Sequence, residues 1–238
     1  MKRNRIKIVC VAMALFATVP LFADEPESDF TAEVGGDLVS SYIWRGQACG
    51  GVSLQPSVEI GWKGLSFGAW GSVGFESFDT KEFDLTLGYG IGGFSVSVTD
   101  YYFAVPGVPD SYFHYEKDAT PHVFEGQIGY DFGFLSLNWF TNFAGADGVK
   151  NANGDMAYSS YFSIGAPFEF GSLSWEAELG FVPWKTSLYA TEGFALTNIS
   201  IKALKPIPIS ETYNLGLFTQ AIWNPTSEGG YLVMGLSF

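Results

Sequence analysis

Apolar and polar residues alternate along nearly the whole of this chain, and a period of two fits only an extended backbone with one apolar face. Between residues 52 and 62, Val52, Leu54, Pro56, Val58, Ile60 and Trp62 fall on one face, with Ser53, Gln55, Ser57, Glu59 and Gly61 on the other. Phe83, Leu85, Leu87, Tyr89 and Ile91 repeat the pattern, as do Leu173, Trp175, Ala177, Leu179 and Phe181. Leu232, Met234, Leu236 and Phe238 repeat it once more against Val233, Gly235 and Ser237. Reading on in this way predicts twelve strands: 31–44, 52–62, 65–75, 82–91, 94–102, 122–130, 134–143, 157–166, 172–182, 194–204, 212–223 and 230–238. Most are about 9 to 11 residues long, the length of a tilted strand crossing a bilayer, and twelve is even, as in single-chain bacterial barrels.

The connections alternate as well. Those at 63–64, 92–93 and 131–133 are tight, whereas 76–81, 103–121 and 144–156 are long or charged. Short turns at one end and long loops at the other are the pattern of an outer-membrane barrel, and it puts both termini on the short-turn, periplasmic side. The turn at 205–211, with Pro206 and Pro208, fits this pattern least well. A soluble sandwich or lipocalin-like barrel alternates too, but its outer face carries more Lys and mixed charge than the Gly, Ser, Thr, Asn and acids seen here. Aromatic residues are 17% of the chain. Trp44, Trp62, Phe75, Phe83, Tyr89, Phe94, Tyr102, Tyr130, Phe143, Phe181, Tyr213, Trp223 and Phe238 fall at strand ends on the apolar face, where a lipid headgroup belt sits. Pro56 removes a ladder donor, so a bulge or a rim position is expected there. The last strand ends on Phe238, which resembles the terminal signature by which bacterial outer-membrane barrels are recognised for insertion. That resemblance implies the barrel-assembly machinery and outer-membrane lipid as partners. The expected fold class is therefore all-β: a single transmembrane antiparallel barrel of about twelve strands.

The amino-terminal stretch reads differently. Lys2, Arg3, Arg5 and Lys7 precede an apolar run from Ile8 to Leu21, and Ala23 precedes Asp24 and Glu25. This is the layout of a secretory signal peptide over 1–23, leaving 24–238 as the barrel and 24–29 as a mobile acidic lead. Cys10 lies inside the apolar run rather than at its end, which argues against a lipoprotein cysteine. Removing residues 1–23 takes 4 of the 12 basic groups and none of the acids, so 8 basic groups face 25 acidic ones, a net charge of −17. Nucleic-acid binding needs basic patches, and none is present. The single remaining cysteine, Cys49, excludes an intramolecular disulfide.

By alternation the inward acids are Glu33, Asp37, Glu59, Glu82, Asp84, Glu125, Glu176 and Glu178, against the inward bases Arg45 and Lys202. A lumen of this kind favours cations and disfavours anionic sugars or phosphate; paired or solvated, the same acids select nothing. Arg45 is expected at the top of strand one, opposite Glu59, either as a charge at the pore mouth or as an ion pair tying strands one and two. Small inward residues such as Gly68, Ser72 and Gly88 leave room, inward Trp70, Phe140 and Phe218 take it back, and the 103–121 loop can fold in as a constriction. A barrel-embedded lipid hydrolase needs a Ser activated by His. The two histidines, His114 and His122, lack a Ser two residues on and read as loop or rim residues. Glu116 and Asp118 near His114 are a thin metal option. The 144–156 loop, with Asp147, Lys150, Asn151, Asn153 and Asp155, lacks the Glu that completes a calcium loop. No catalytic residue, metal or cofactor is expected.

Ser40-Ser41-Tyr42-Ile43-Trp44-Arg45-Gly46, then Gly51-Val52-Ser53-Leu54-Gln55-Pro56-Ser57 and Gly68-Ala69-Trp70-Gly71-Ser72, resemble the start of the TorF-type porin family. The likeness covers the first third of the chain after residue 23. It implies an outer-membrane porin and no particular solute. The expected function is a channel for passive diffusion of small solutes, weakly cation-preferring. The alternatives are a non-conducting barrel serving as scaffold or adhesion protein and, behind it, the lipid hydrolase.

Overall fold

The computed structural model describes residues 29–76, 79, 81–104, 112–116, 120–146, 151 and 153–238. The signal-peptide reading of 1–23 and the acidic lead up to residue 28 lie outside them, as do Asp118, Asp147 and Lys150. The strands are β1 (Phe30–Val39), β2 (Tyr42–Trp44), β3 (Gln47–Gly50), β4 (Ser53–Trp62), β5 (Leu65–Gly74), β6 (Lys81–Ile91) and β7 (Phe94–Ala104), then β8 (His122–Asp131), β9 (Ser136–Gly145), β10 (Ser160–Phe170), β11 (Leu173–Val182), β12 (Ala195–Pro208), β13 (Asn214–Asn224) and β14 (Gly229–Ser237). Twelve of them form a closed antiparallel barrel in which β4 to β14 follow one another and β1 closes the ring between β14 and β4. β2 and β3 pair only with each other.

Alternation sorts the two faces of the wall. On β14, Leu232 is 67% exposed and Val233 4%. Val58, Ile60, Trp62, Phe67, Leu87, Tyr89, Ile128 and Trp223 are likewise exposed on the outside, while Gln55, Glu82, Asp84, Thr86, Glu125, Gln127 and Asn138 are buried on the inside. A water-soluble protein has the reverse arrangement, because burying apolar side chains is what drives its folding. No helix among the described residues is long and apolar enough to cross a membrane, which says nothing of strands. The turns at 63–64, 92–93, 132–135, 171–172 and 209–213 lie at one end of the barrel, and the longer connections at the other. Both ends of the described barrel wall lie at the turn end: Phe30 pairs with Trp62, and Phe238 exchanges reciprocal backbone bonds with Gly36 at 2.9 and 3.0 Å.

Several expectations change. The first wall strand stops at Val39, not residue 44. Ser40 ends its ladder: its N–H donates to the Met234 carbonyl, and its hydroxyl accepts from the Met234 N–H, both at 2.9 Å. A side chain has replaced the next backbone acceptor, and the chain is free to turn inward. Pro56 causes neither a bulge nor a rim. The β4–β5 register is the same on both sides of it, from Ser53–Gly74 and Leu54–Val73 to Ser57–Trp70, with the rungs at Gln55 and Pro56 missing. Pro206 and Pro208 lie within β12, paired opposite Gly216 and Asn214, so the turn comes later. Of the 103–121 loop, the described stretch 112–116 lies against the outer wall rather than in the lumen: the Tyr112 ring meets Phe83 and Tyr102, and Tyr115 stacks on His122 at 4.2 Å. Tyr102 is on the outer face as expected, in register with Phe83, but it is buried beneath that stretch.

Candidate functional site

The hairpin β2–β3 occupies the loop end of the barrel interior. Its two-residue turn is Arg45-Gly46, with φ of 49° and 81°, between the pair Trp44–Gln47. Left-handed conformations at both turn positions are those of the hairpin turn whose twist matches its strands. Only the second position here is glycine, so Arg45 is held in a conformation most side chains avoid.

Each side chain of β2 lands on a different part of the wall. Tyr42 meets Trp70 of β5, ring centres 5.6 Å apart. Ile43 packs on a buried cluster of Val39, Phe218, Ile222 and Val233. Trp44 packs on a second cluster, Phe140, Tyr161, Val182 and Tyr189, and stacks on Tyr189 at 5.7 Å. The turn reaches β12 and β13, where Asn224 Nδ2 donates to the Gly46 carbonyl at 3.1 Å. A Cβ on Gly46 would sit 2.0 Å from the Thr197 carbonyl oxygen, so no other residue fits that approach. The hairpin thus crosses the lumen from one wall to the other.

Arg45 is the anchor. Its Nη1 and Nη2 donate to the two oxygens of Glu125 on β8 at 2.6 and 2.7 Å, and Nη1 also donates to the Tyr189 hydroxyl at 2.7 Å. The guanidinium carbon lies 4.4 Å from the ring centre of Trp44, 4.2 Å from that of Phe140 and 4.8 Å from that of Tyr161. Side-chain exposure is 9% for Arg45 and 3% for Glu125. Tyr101 of β7 donates to Glu125 Oε1 at 2.9 Å and fixes the carboxylate from the far side. So Arg45 stands at the tip of a separate hairpin rather than at the top of strand one, and its partner is Glu125 rather than Glu59 or another β4 acid. Trp44, expected on the lipid side, faces inward.

The remaining charged side chains named from the sequence point into the barrel at other levels. Glu82 and Asp84 are buried near the loop end on β6. Glu178 accepts from the Tyr161 hydroxyl at 2.8 Å and from Asn198 Nδ2 at 2.7 Å. Glu176 pairs in register with Lys202, whose Nζ lies 4.0 Å from the ring centre of Phe218. Asp37 accepts from the Ser237 hydroxyl at 2.6 Å. Glu33 and Glu59 are register partners near the turn end. Phe238 lies on the outer face, 43% exposed.

Sequence reasoning missed Tyr189, Tyr161 and Tyr101 as members of this site. The Arg-Gly dipeptide between two short apolar runs was the available signal for the hairpin. His122 is fully buried, its Nδ1 2.7 Å from Asp100 Oδ1 and its Nε2 2.5 Å from the Tyr112 carbonyl oxygen. Both ring nitrogens are engaged by groups other than Ser, so this histidine pins the 112–116 stretch to the wall. No group of three or more His, Cys, Asp or Glu among the described residues is placed to hold a metal ion. In the 144–156 loop, Asn151 Oδ1 accepts from the backbone N–H groups of Asn153 and Asp155, a self-contained turn.

Among solved structures, the chain is similar to Pseudomonas aeruginosa OccK9 (OpdG), with a TM-score of 0.37 and 14% identity over 90% of this chain and 64% of that one. It is also similar to Pseudomonas aeruginosa OccK5 (OpdH), with a TM-score of 0.34 and 10% identity over 88% of this chain and 67% of that one. The match thus spans less than two thirds of the first of these chains. No family model and no curated protein matches the sequence.

Proposed function

We propose that this chain is a bacterial outer-membrane pore for small solutes, weakly cation-preferring, whose lumen is closed at rest by the β2–β3 hairpin. The outward apolar wall supports immersion in lipid, with both termini periplasmic and insertion by the barrel-assembly machinery. Assignment to the TorF-type porins rests on the residues between Ser40 and Ser72. The observation that carries the reading is the plug itself. It lies in the lumen of a complete barrel, held by side-chain contacts and one ion pair, and it lies among inward acids that outnumber inward bases. A closure held non-covalently by one buried charge is one that a change at that charge can release.

The contents of the lumen favour a second reading, a permanently filled barrel acting as scaffold or adhesion protein. The two buried clusters that receive Ile43 and Trp44 are what a filled barrel would have. Refolded protein in a planar bilayer separates the two. Rare, small, cation-selective openings in the natural chain, and large, frequent ones once residues 42–50 are replaced by a short Gly-Ser link, support the pore. Correctly folded protein that stays silent in both forms sinks it.

A further inference from the structure

We propose that the cradle around Arg45 is a guanidinium-recognition site that the chain's own hairpin occupies at rest, so that a small solute carrying a guanidinium group is the cation that displaces the hairpin. The displacement half of this inference rests on the pore reading above; the recognition site stands on its own geometry.

A guanidinium is planar, with N–H groups around its edge and two apolar faces. Each part has its counterpart here. Glu125 takes two parallel N–H bonds at 2.6 and 2.7 Å, the fork-to-fork contact that an ammonium cannot make. The Tyr189 hydroxyl takes a further N–H at 2.7 Å. Phe140 and Tyr161 lie within 4.2 and 4.8 Å of the central carbon, inside the range of cation–π attraction.

Ownership of these parts decides the matter. Trp44 and Arg45 belong to the hairpin and leave with it. Glu125, Tyr101, Phe140 and Tyr161 belong to the wall strands β8, β7, β9 and β10, and they stay. Tyr101 still holds Glu125 at 2.9 Å, and Glu178 still holds the Tyr161 hydroxyl at 2.8 Å. Withdrawal of the hairpin would therefore leave a preorganised carboxylate between aromatic walls. Arg45 fills it as a tethered ligand at high effective concentration, so a free guanidinium must compete with it.

The test uses the full chain refolded in detergent, with folding checked by heat-dependent gel mobility. Arg45→Ala vacates the cradle. Calorimetric titration with methylguanidinium should show saturable binding to this variant. Binding should be roughly tenfold weaker or more to the natural chain, where Arg45 competes, and likewise weaker for methylammonium, which has the charge without the fork. The double variant Arg45→Ala/Glu125→Gln should not bind. In bilayers, methylguanidinium should block current through Arg45→Ala and spare the double variant. Failure of Arg45→Ala to bind, or equal binding of methylammonium or by the double variant, overturns the site. Binding without conductance in any variant overturns the pore reading and the displacement step, and leaves the recognition site standing. If Arg45→Ala refolds poorly, its refolding yield with low-millimolar methylguanidinium replaces the titration: a gain that requires Glu125 supports the site, and no gain overturns it.

Discussion

Two residues decide whether the hairpin stays docked, and they act through different physics. Glu125 holds it by charge. Removing one partner of a buried ion pair typically costs about 3–5 kcal/mol, because the other charge is left without compensation. Here Arg45 has an escape, since its hairpin is joined to the barrel by a single short stretch at each end. Glu125→Ala should therefore lose less than that range in urea unfolding followed by tryptophan fluorescence, because the hairpin swings out and Arg45 regains water. The same variant should become sensitive to trypsin after Arg45, a bond the buried side chain protects in the natural chain. A variant that loses the full amount and stays uncut at Arg45 would mean that the hairpin cannot move. Gly46 holds it by shape. With φ of 81° and the Thr197 carbonyl oxygen 2.0 Å from where a Cβ would lie, even alanine cannot dock. Gly46→Ala should give the same tryptic cut after Arg45 with every charge intact, as read by mass spectrometry of the fragments.

At the scale of elements, the wall was legible in the sequence and the plug was not, and one physical fact explains both. Period-two alternation reports that a residue pair lies on opposite faces of a strand, and every wall strand has that constraint imposed by an apolar outer face on one side and a polar lumen on the other. Ser40 to Trp44 continues the same alternation, so β2 looks like more of β1. What redirects it is the Ser40 hydroxyl accepting from Met234, a contact 194 positions away along the chain that no local pattern encodes. Glu125 was legible as an inward acid, but not as the partner of Arg45, because the direction of the hairpin decides which acid it meets. Cys49 on β3 gives this element a reporter. Burial, followed by the nearby Glu82 carboxylate, pushes its thiol up to about 12. The side chain is exposed, and its S–H donates to the Gln47 carbonyl at 3.7 Å, a contact that the acid form makes and the thiolate loses. The thiolate is the nucleophile, and an unperturbed thiol ionises near 8.5. With the acid form favoured, the docked thiol should label slowly with maleimide at pH 8 and gain speed as pH rises towards 12. Releasing the hairpin by Glu125→Ala should return it to ordinary behaviour and speed labelling at pH 8 by roughly tenfold or more. Equal rates in the two proteins would place Cys49 outside any docked element.

For the whole molecule, the question is what an acidic interior does when the hairpin is out. Glu33 and Glu59 face each other near the turn end, and Asp37, Glu176 and Glu178 follow further along, with Lys202 among them. The acids come from strands all round the ring, so the field is a property of the whole barrel rather than of any one pair. Low-dielectric walls focus that field along the axis, raising the local cation concentration above bulk. Mobile ions entering the lumen screen it over a distance set by ionic strength, about 10 Å at 0.1 M and about 3 Å at 1 M. Selectivity that arises from such a field therefore has a salt dependence that size exclusion lacks. In a chain whose plug has been released, reversal potentials under a potassium chloride gradient should favour potassium at 0.1 M and approach the non-selective value at 1 M. Glu176→Gln/Glu178→Gln should move the 0.1 M value part of the way toward non-selective, since it removes two of the carboxylates and keeps the side-chain volumes. A potassium preference that is the same at both salt concentrations, or unmoved by the double substitution, would mean that the inward acids are neutralised by their partners and that pore width alone decides what passes.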